Sequence, residues 1–567
     1  MRGLGRTAAV LVALLASLTA CAQIPTSGPV EQRGEVRTER DDPFVRVLAK
    51  GPAEGMDQQQ VLAGFLRASA SFDDDHAVAR AFLAPETAAA WDPGQGAVVY
   101  SDDADQTILE QDGNVLQLSA RKVATISARG EFEAATTDSM TTSSFALRKV
   151  DGEWRIADLP DGLFLTPLDV DRSYRSFDLY FLDGTSTRLV PNAVFVPVGP
   201  VASTSLVTAL LEGPTEWLAP AVRSAFPTGT QLTVPSAPVQ DGVVQVDLSS
   251  SVLGSDLEDR QALAAQLVWT LRQLPDVSAV RITSGGLPLP GLDAEQPRDA
   301  WPQFSPDGPP VGDPYLAREG RLLRLVGGEL SPIAGKLGDG SIPATHPASS
   351  PEGDQLAALS PAGDRLFLTT PSAGAPVRTP LVAPNLTAPS WDPFGSVWTT
   401  SRSGDVTTVW AVRPGDDPSV KVAAPGLADQ RVVALRVARD GVRVAVVVGD
   451  KAGGRNLLVG RIERGENLKL DGLRRVESTL VDVVDVAWAD ADRMAVLGQE
   501  PNGVVQPLIV DADGSVRRAA GSLSGLVRIA AAPGKPLVAG TSDGTIWLDT
   551  DVGWQTVGKG FDPAYPG

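Results

Sequence analysis

The arrangement of apolar and polar positions along this chain predicts three folded segments. In the first, residues 43–168, apolar side chains recur at helical spacing over residues 58–70, and two shorter helical stretches follow. The rest of this segment alternates with the period of two that half-buried strands show, over residues 96–103, 114–134 and 143–162. Helices followed by an antiparallel sheet predict an α+β domain.

The second segment, residues 171–292, interleaves strands and helices. Residues 177–181 alternate as a strand, and residues 202–211 have the spacing of an amphipathic helix that ends at Gly213. An Asp-Gly hairpin turn then leads into another strand, and a second helix over residues 261–274 precedes a last short strand. This order predicts a second α+β domain.

From residue 301 onward, long helical periods vanish and short apolar runs alternate with Gly and Pro turns, which predicts an all-β segment over residues 301–567. A small-residue strand, a tight turn and a second apolar strand recur at intervals of 45, 42, 46, 51 and 42 residues, measured between turns at Gly308, Gly353, Gly395, Gly441, Asp492 and Gly534. That spacing suits four-stranded propeller blades of about 40 to 50 residues. The sequence therefore predicts a β-propeller of five or six blades, in which residues 301–307 are either a lead-in or a strand that closes the ring.

The N-terminus has a different pattern, a charged stretch followed by an apolar run and the only cysteine. Arg2 and Arg6 precede the apolar residues 8–18, and small residues then lead to Cys21. A bilayer span needs about 20 apolar residues, so a transmembrane helix is disfavoured. A plain secretory signal with a chance cysteine is less favoured, as is a buried structural cysteine. The pattern favours an export signal over residues 1–20.

The residues around this cysteine have the order of a lipid attachment site. Leu18, Thr19, Ala20 and Cys21 resemble the bacterial lipobox. The resemblance implies that the Cys21 sulfur carries diacylglycerol, that its amine carries palmitate, and that the protein is anchored on the extracytoplasmic face of the cell membrane. Two attachments matter because one acyl chain gives only marginal membrane binding. Residues 21–42, rich in Pro, Gly and charge, are expected to be a flexible tether.

Charge narrows the range of partners. The chain carries a net charge of −20, and loss of the two signal arginines leaves −22. Such a surface repels nucleic acid and anionic lipid head groups, so attachment through the lipid alone is expected. After lipidation of Cys21 no thiol remains for a disulfide or a thiolate metal site.

Two groups of polar residues outside the propeller segment are candidate sites. Residues 73–75 are three aspartates beside His76, and a solvated helix-cap cluster is favoured over a metal site because sequence neighbours do not converge on one point by themselves. In the second segment, Asp247 and Ser249 follow a strand and are expected to cap the next helix. The alternative is that Asp247, Ser249 and Thr270 line a binding groove.

Candidate chemistry in the propeller segment is sparse. Five of its tryptophans are candidates for stacking a ligand, although packing within the blades is the favoured role: Trp391, Trp398, Trp410, Trp488 and Trp547. His346, followed by a proline, is expected to lie in a loop without a surrounding motif. Residues 511–515 faintly resemble a calcium loop but fit a hairpin turn better, because the distal glutamate is absent.

Motifs for catalysis are absent from the sequence. It has five tyrosines and two histidines, and it has no GxSxG elbow, HExxH helix or phosphate-binding loop. The combination that sialidase-like propellers need, an arginine cluster with a tyrosine nucleophile and carboxylates, is not indicated. We therefore expect no enzymatic activity, no cofactor and no metal.

Several landmarks resemble known families. The order of helices and sheet in the first segment resembles the NTF2-like fold. The second segment resembles the GerMN domain through a strand ending YF, the helix end LLEGP, SAFPTGT, the VDLS strand, and the helix QLVWTLRQLP followed by VSAVRI. Together with the lipobox and the propeller repeat, these features make the whole chain resemble the actinobacterial LpqB lipoprotein family.

The resemblance to this family implies a function. It implies an accessory lipoprotein that contacts the extracytoplasmic domain of the MtrB sensor histidine kinase and modulates MtrA signalling in cell-envelope and division control. A second hypothesis is an envelope scaffold or glycan-binding lipoprotein that binds cell-wall polymer through the propeller face. A hydrolase is the third hypothesis.

Overall fold

A computed structural model describes residues 50–567 except 73, 103–105, 111–112, 137–138, 200, 416–418, 450–452 and 477–478. The predicted signal over residues 1–20, the lipidation site Cys21 and the tether over residues 21–42 lie outside the described residues. Among the helices of the described part, none combines the length and the apolar character needed to cross a bilayer.

The N-terminal domain begins with three helices, α1 (Gln58–Ala68), α2 (Ala77–Arg80) and α3 (Pro85–Ala90), and ends with α4 (Pro167–Ser173). Between them lie β1 (Ala97–Tyr100), β2 (Thr107–Glu110), β3 (Val115–Ile126), β4 (Phe132–Ala134), β5 (Met140–Val150), β6 (Glu153–Asp158) and β7 (Leu163–Leu165). The main sheet has the order β6-β5-β3-β1-β7 and is antiparallel except for β1 beside β7.

Helix α1 starts where the sequence predicts, because Asp57 forms a capping box with Gln60. Its apolar face buries Leu62 and Phe65 in a core that includes Phe145 and Ile156 of the sheet. The predicted succession of helices and sheet is confirmed. The NTF2-like assignment of this domain stays a prediction.

The middle domain contains two helices, α5 (Ala202–Glu212) and α6 (Leu257–Leu271), and two sheets. Its strands are β8 (Tyr174–Asp183), β9 (Leu189–Pro197), β10 (Val222–Arg223), β11 (Val239–Gln240), β12 (Val243–Leu248), β13 (Ala279–Ser284), β14 (Leu287–Pro288) and β15 (Glu295–Pro297). One sheet has the order β10-β8-β9, and the other has the order β11-β12-β13-β14 with β15 also on β13. Strands β12 and β13 are parallel.

Helix α6 packs against both sheets of the middle domain, which explains why residues 262–271 are all buried. Two polar side chains on this buried surface bond to backbone groups. Gln266 accepts from the amide of Ala225 and donates to the carbonyl of Tyr180, and the Thr270 hydroxyl accepts from the Tyr180 amide at 3.1 Å. These bonds satisfy buried backbone groups that would otherwise lose their hydrogen bonds to water.

The C-terminal half consists of six four-stranded antiparallel sheets. The first contains β16 (Tyr315–Arg318), β17 (Arg321–Val326) and β18 (Glu329–Pro332), and the second contains β19 (Thr345–Ser349), β20 (Leu356–Leu359), β21 (Arg365–Thr369) and β22 (Arg378–Val382). The third contains β23 (Ser390–Trp391), β24 (Val397–Ser403), β25 (Val406–Val412) and β26 (Val420–Val422), and the fourth contains β27 (Arg431–Val437), β28 (Arg443–Gly449), β29 (Arg455–Arg464) and β30 (Leu468–Arg475).

The fifth sheet contains β31 (Asp482–Trp488), β32 (Arg493–Gln499), β33 (Val505–Asp511) and β34 (Arg517–Ala519), and the sixth contains β35 (Leu526–Ala530), β36 (Val538–Thr541), β37 (Thr545–Thr550) and β38 (Gly553–Lys559). The last strand, β39 (Phe561–Ala564), returns to the first sheet and pairs with β16, with Ala564 opposite Tyr315. Strand β39 also contacts β19 and β35, so the six blades form a closed ring. Closure removes exposed sheet edges at the seam.

The ring is therefore not closed by residues 301–307. This stretch contains a short 3₁₀ helix, Pro302–Phe304, and the rings of Trp301 and Phe304 pack against the core of the middle domain. The predicted lead-in is the arrangement observed. Strand β15 pairs with β13 at residues 295–297, so the middle domain extends beyond residue 292.

Candidate functional site in the propeller and at its domain interfaces

The N-terminal domain contacts the middle domain through aromatic stacking and backbone hydrogen bonds. The rings of Phe132 and Phe195 stack with centroids 5.1 Å apart. The guanidinium of Arg129 donates to the carbonyls of Gly213 and Pro214 at 2.6 and 2.9 Å. Gly213 and Pro214, which follow the end of helix α5, thus also connect the two domains.

The middle domain contacts the propeller through Trp217. Its indole N–H donates to the carbonyl of Gly472 at 2.6 Å, and the guanidinium of Arg474 lies 4.1 Å from the centroid of its ring. Arg474 also pairs with Glu131 of the N-terminal domain at 2.8 Å. All three domains therefore meet at one arginine.

A buried carboxylate lies at the same interface. Asp178 of β8 is 8% exposed. Burial raises its pKa to about 7, with Arg443 opposing the shift and neighbouring aspartates of the propeller adding to it. Beside it, the Ser176 hydroxyl donates to Asp513 at 2.8 Å. Asp513 belongs to the hairpin turn between β33 and β34, as predicted for residues 511–515.

The axis of the propeller contains a cavity of about 80 Å³, which we call the axial cavity. Of the seven charged or titratable side chains in its lining, five come from the innermost strands of the blades. They are His346 of β19, Arg436 of β27, Asp485 of β31, Arg528 of β35 and Asp562 of β39, and we call this set the axial ring. Small side chains, mostly alanine and proline, form the walls between them.

The opposite charges of the axial ring are only loosely paired. Arg436 lies 3.5 Å from Asp485, and Arg528 lies 3.2 Å from Asp562. His346 lies 3.4 Å from the same Asp562 oxygen. Burial lowers the pKa of His346, Asp562 opposes this shift, and Arg528 and Arg436 add to it. The imidazole is therefore neutral at pH 7.

Arg439 closes one end of the axial cavity. Its guanidinium donates to the linker carbonyls of Asp307 at 2.6 Å and Pro309 at 3.2 Å, and to the carbonyl of Pro566 at 2.7 Å. The linker before the first blade and the segment after β39 are thus both held across this end. Burial lowers the pKa of Arg439 to about 10, and Arg188 adds to the shift.

The candidate tryptophans of the propeller serve mainly in packing. Trp391, Trp398 and Trp488 are buried, and their indole N–H groups donate to Ala348, Asp392 and Arg436. Trp410 and Trp547 are half-buried. The buried rings leave no face on which a glycan can stack.

The expected helix caps of the middle domain are wrong. A 3₁₀ helix, Ser250–Gly254, follows β12, and Ser249 makes no side-chain cap bond to it. Helix α6 is capped instead by Asp256. Asp247 accepts from the Thr283 hydroxyl at 2.6 Å and from the Gly286 amide at 2.9 Å. The alternative, a groove lined by Asp247, Ser249 and Thr270, is not formed, because Thr270 is fully buried under β8.

His76 is buried rather than solvated, contrary to expectation. It is 6% exposed and lies edge-on to Phe72 and Trp91. Residues 74–76 all have left-handed φ angles, and Arg80 bonds the side chain and carbonyl of Asp75. Within the described residues, which exclude position 73, no group of side chains is arranged to hold a metal ion.

The sequence predicts a loop at His346, but this residue lies in β19 and belongs to the axial ring. The sequence patterns did not identify the other members of the ring. A sequence signal exists for three of them, since Arg436, Asp485 and Arg528 each lie between small or apolar residues inside an inner strand. A charge inside such an inner strand indicates a side chain that faces the propeller axis.

Three protein-family models match successive parts of the chain. The one described as "Lipoprotein LpqB, N-terminal domain" matches residues 51–171, "Sporulation and spore germination" matches residues 178–290, and "Lipoprotein LpqB beta-propeller domain" matches residues 320–566. Lipoprotein LpqB of Thermobifida fusca is 35% identical, and the alignment covers 99% of both chains. The chain belongs to the LpqB lipoprotein family. The resemblance drawn from the sequence and its three-domain order are confirmed.

Other LpqB lipoproteins align over similar lengths. That of Streptomyces coelicolor is 33% identical over 99% of this chain and 98% of its own. Among solved structures, TolB from Acinetobacter baumannii matches with a TM-score of 0.35 and 14% identity, over 60% of this chain and 99% of its own. The first GerMN domain of the sporulation protein GerM from Bacillus subtilis matches with a TM-score of 0.19 and 20% identity, over 22% and 98%.

Proposed function

We propose that this LpqB-family chain is an exported, lipid-anchored protein without enzymatic activity that modulates an MtrB-type sensor histidine kinase in cell-envelope and division control. Membership of a family named as lipoproteins supports the anchor, and the order of Leu18, Thr19, Ala20 and Cys21 supplies the chemistry. The extracytoplasmic face and the kinase partner are what the sequence resemblance implies.

One observation carries the proposal of a protein partner. Large apolar side chains are exposed on the middle domain around the ends of β12 and β13. They are Val234 (62% exposed), Leu253 (45%), Leu257 (45%) and Leu287 (71%), and we call them the apolar edge. Exposed apolar groups of this kind favour protein association when a partner covers them.

Asp247 holds the apolar edge in place. Its carboxylate accepts from the side chain of Thr233 and from the amide of Gly286, and these residues directly precede Val234 and Leu287. Partial burial alone would raise the pKa of Asp247, but the hydrogen bonds from Thr283, Gly286 and Thr233 outweigh it and lower the pKa. The carboxylate therefore stays ionised and fixes both segments at neutral pH.

The apolar edge belongs to the sheet of the middle domain that does not carry the propeller contact. Ser176 and Asp178 of the β10-β8-β9 sheet face the propeller, whereas the apolar edge surrounds the β12-β13 sheet. A partner can thus reach it without separating the domains. The lipid anchor raises the local concentration near a membrane-embedded kinase, and modulation follows from unequal affinity for the two states of the kinase.

Photo-crosslinking in membranes tests the proposed function. A photoreactive residue at Leu287 should crosslink to the extracytoplasmic domain of the kinase, whereas the same residue at Val406, 61% exposed on the propeller, should not. Leu287→Asp should weaken both crosslinking and kinase modulation. Equal crosslinking from the two positions, or unchanged modulation by Leu287→Asp, would exclude the apolar edge as the contact.

A further inference from the structure

The axial cavity has the composition of a site for an anion, a role beyond the proposed kinase contact. Two guanidiniums and one imidazole of the axial ring face it, a third guanidinium, that of Arg439, lies at one end, and Asp485 and Asp562 bring the opposing side-chain carboxylates. The walls are short side chains, among them Ala348, Ala388 and Ala530. A group that enters must therefore be compact and able to accept hydrogen bonds.

The arginines of the axial ring retain donor capacity for such a group. Each pairs with one carboxylate oxygen at 3.2 to 3.5 Å, whereas Arg455 elsewhere in the propeller binds Asp482 through two N–H groups at 2.5 and 2.7 Å. Within the described residues, nothing accepts from Nη2 of Arg528. A guanidinium fork matches the geometry of a carboxylate or a phosphate group.

Charge balance selects an anion with one negative charge. The axial ring holds two arginines and two aspartates, neutral His346 adds nothing, and Arg439 at the end of the cavity leaves one positive charge among the lining side chains. A phosphate dianion would be repelled by Asp485 and Asp562. A carboxylate brings one negative charge, which offsets Arg439, and it favours a proton on His346, whose imidazole already faces Asp562 at 3.4 Å.

The shape of the axial cavity indicates how the carboxylate is attached. One end is clamped by Arg439, so the rest of the ligand must leave through the opposite end. Alanine and proline walls accept a methyl side chain but no large one. We propose that the axial cavity binds the free carboxylate at the end of a chain of small residues, together with one proton on His346.

Binding to the purified full chain tests this site. The probes are acetyl-alanyl-alanine, its C-terminal amide, which has the same shape without the charge, and acetate, which has the charge without the chain. The acid should bind saturably, and the amide should bind at least about tenfold more weakly because it leaves the guanidiniums without an anion. Equal binding of the amide, or no saturable binding of the acid, would overturn the proposal. Acetate binding as tightly as the dipeptide would overturn the assignment to a chain end.

The chain has only two histidines, so NMR can locate the proton. The acid should raise the pKa of the His346 ring and leave the His76 signal unchanged. The signal that disappears in the His346→Gln variant identifies the His346 ring. Affinity should increase from pH 7.5 to 5.5 by at most about tenfold per pH unit, because one proton is taken up. A His346 signal that does not respond to the acid would contradict the site.

Variants of single arginines test whether Arg528 binds the carboxylate. Arg528→Gln should weaken binding of the acid at least about tenfold. Arg365→Gln is the matched control, since this arginine is 58% exposed and 4.0 Å from Asp364 on the outside of a blade. Arg528→Lys retains the charge without the fork and should bind with intermediate affinity. Wild-type affinity in Arg528→Gln would overturn the proposal. If a variant fails to fold, the titrations of the wild-type chain with the acid, the amide and acetate still test the proposal.

Discussion

The guanidinium of Arg474 lies over the indole of Trp217, 4.1 Å from the ring centroid, and so connects the propeller to the middle domain. The same guanidinium pairs with Glu131 of the N-terminal domain at 2.8 Å. Burial lowers the pKa of Arg474, and Glu131 opposes that shift. One side chain thus couples all three domains.

Arg474→Ala should weaken this coupling. The change removes the ring contact and leaves Glu131, 20% exposed, without its cation, so the free energy of unfolding should fall by about 2 kcal/mol or more. Urea denaturation measures the loss, and limited proteolysis of the linker over residues 301–314 should become faster. Arg281→Ala is the control, because Arg281 and Glu295 are both 49% exposed and their pair contributes under about 1 kcal/mol. Equal stability of the two variants would refute the coupling role.

Gly130→Ala should disturb the contact between the N-terminal and middle domains. Gly130 has φ of 78°, and a Cβ there would lie 2.7 Å from the carbonyl oxygen of Phe195. The Phe195 amide also donates to the Gly130 carbonyl at 2.7 Å, so the two segments cannot separate freely. We expect a loss of about 2 to 4 kcal/mol in thermal or urea unfolding.

Gly113→Ala provides the matched control for this strain. Gly113 has φ of 65°, but a Cβ there meets no atom within 4 Å. Gly113→Ala should therefore lower the free energy of unfolding only through the left-handed backbone conformation, by about 1 to 2 kcal/mol. If Gly130→Ala is no more destabilising than Gly113→Ala, close packing at the interface is not what fixes Gly130.

Asp178→Asn should change how stability depends on pH. Burial raises the pKa of Asp178 to about 7 from its usual 3.8, so between these values the folded protein holds a proton that the unfolded chain has lost. Stability of the wild type should therefore fall as pH rises from 4 to 7, by at most about 4 kcal/mol from this group. Asparagine removes the titration, so the variant should match the wild type at pH 4 and exceed it at pH 8.

Asp241→Asn is the control for this pH effect. Asp241 is exposed at a hairpin turn of the same domain, and asparagine tolerates its left-handed φ of 51°. Its unfolding curves should follow those of the wild type at every pH. An Asp178→Asn variant that is less stable than the wild type at pH 8 would show that the charged form is the favoured one.

The local spacing of apolar residues predicts most helices and strands, because each of these elements buries one face. Helix α1 is expected over residues 58–70 and ends at Ala68, and the turns at Gly353, Gly395 and Gly441 each join the two inner strands of a blade. The closing strand β39 is not predicted. Its pairing with β16 depends on completion of a six-bladed ring, which no short window of sequence specifies.

The candidate sites are less predictable because they form only where residues distant in the sequence come together in the fold. The sequence predicts that Asp247 and Ser249 cap a helix, but the 3₁₀ helix after β12 moves the start of α6 to Asp256. Arg436 and Arg528 lie in blades four and six and meet only on the propeller axis. The sequence shows that each interrupts an inner strand, whereas the structure shows that they share one cavity.

Cys21→Ala should release the protein from the membrane and abolish kinase modulation. The thioether to diacylglycerol cannot form on alanine, and a chain with a net charge of −22 after signal removal has no electrostatic attraction to anionic lipid. Membrane fractionation and a kinase-dependent reporter measure the two effects. Thr19→Ala is the matched control, since it keeps a small residue in the lipobox and should leave the protein anchored. A soluble Cys21→Ala protein that still modulates the kinase would show that contact through the apolar edge suffices without concentration at the membrane.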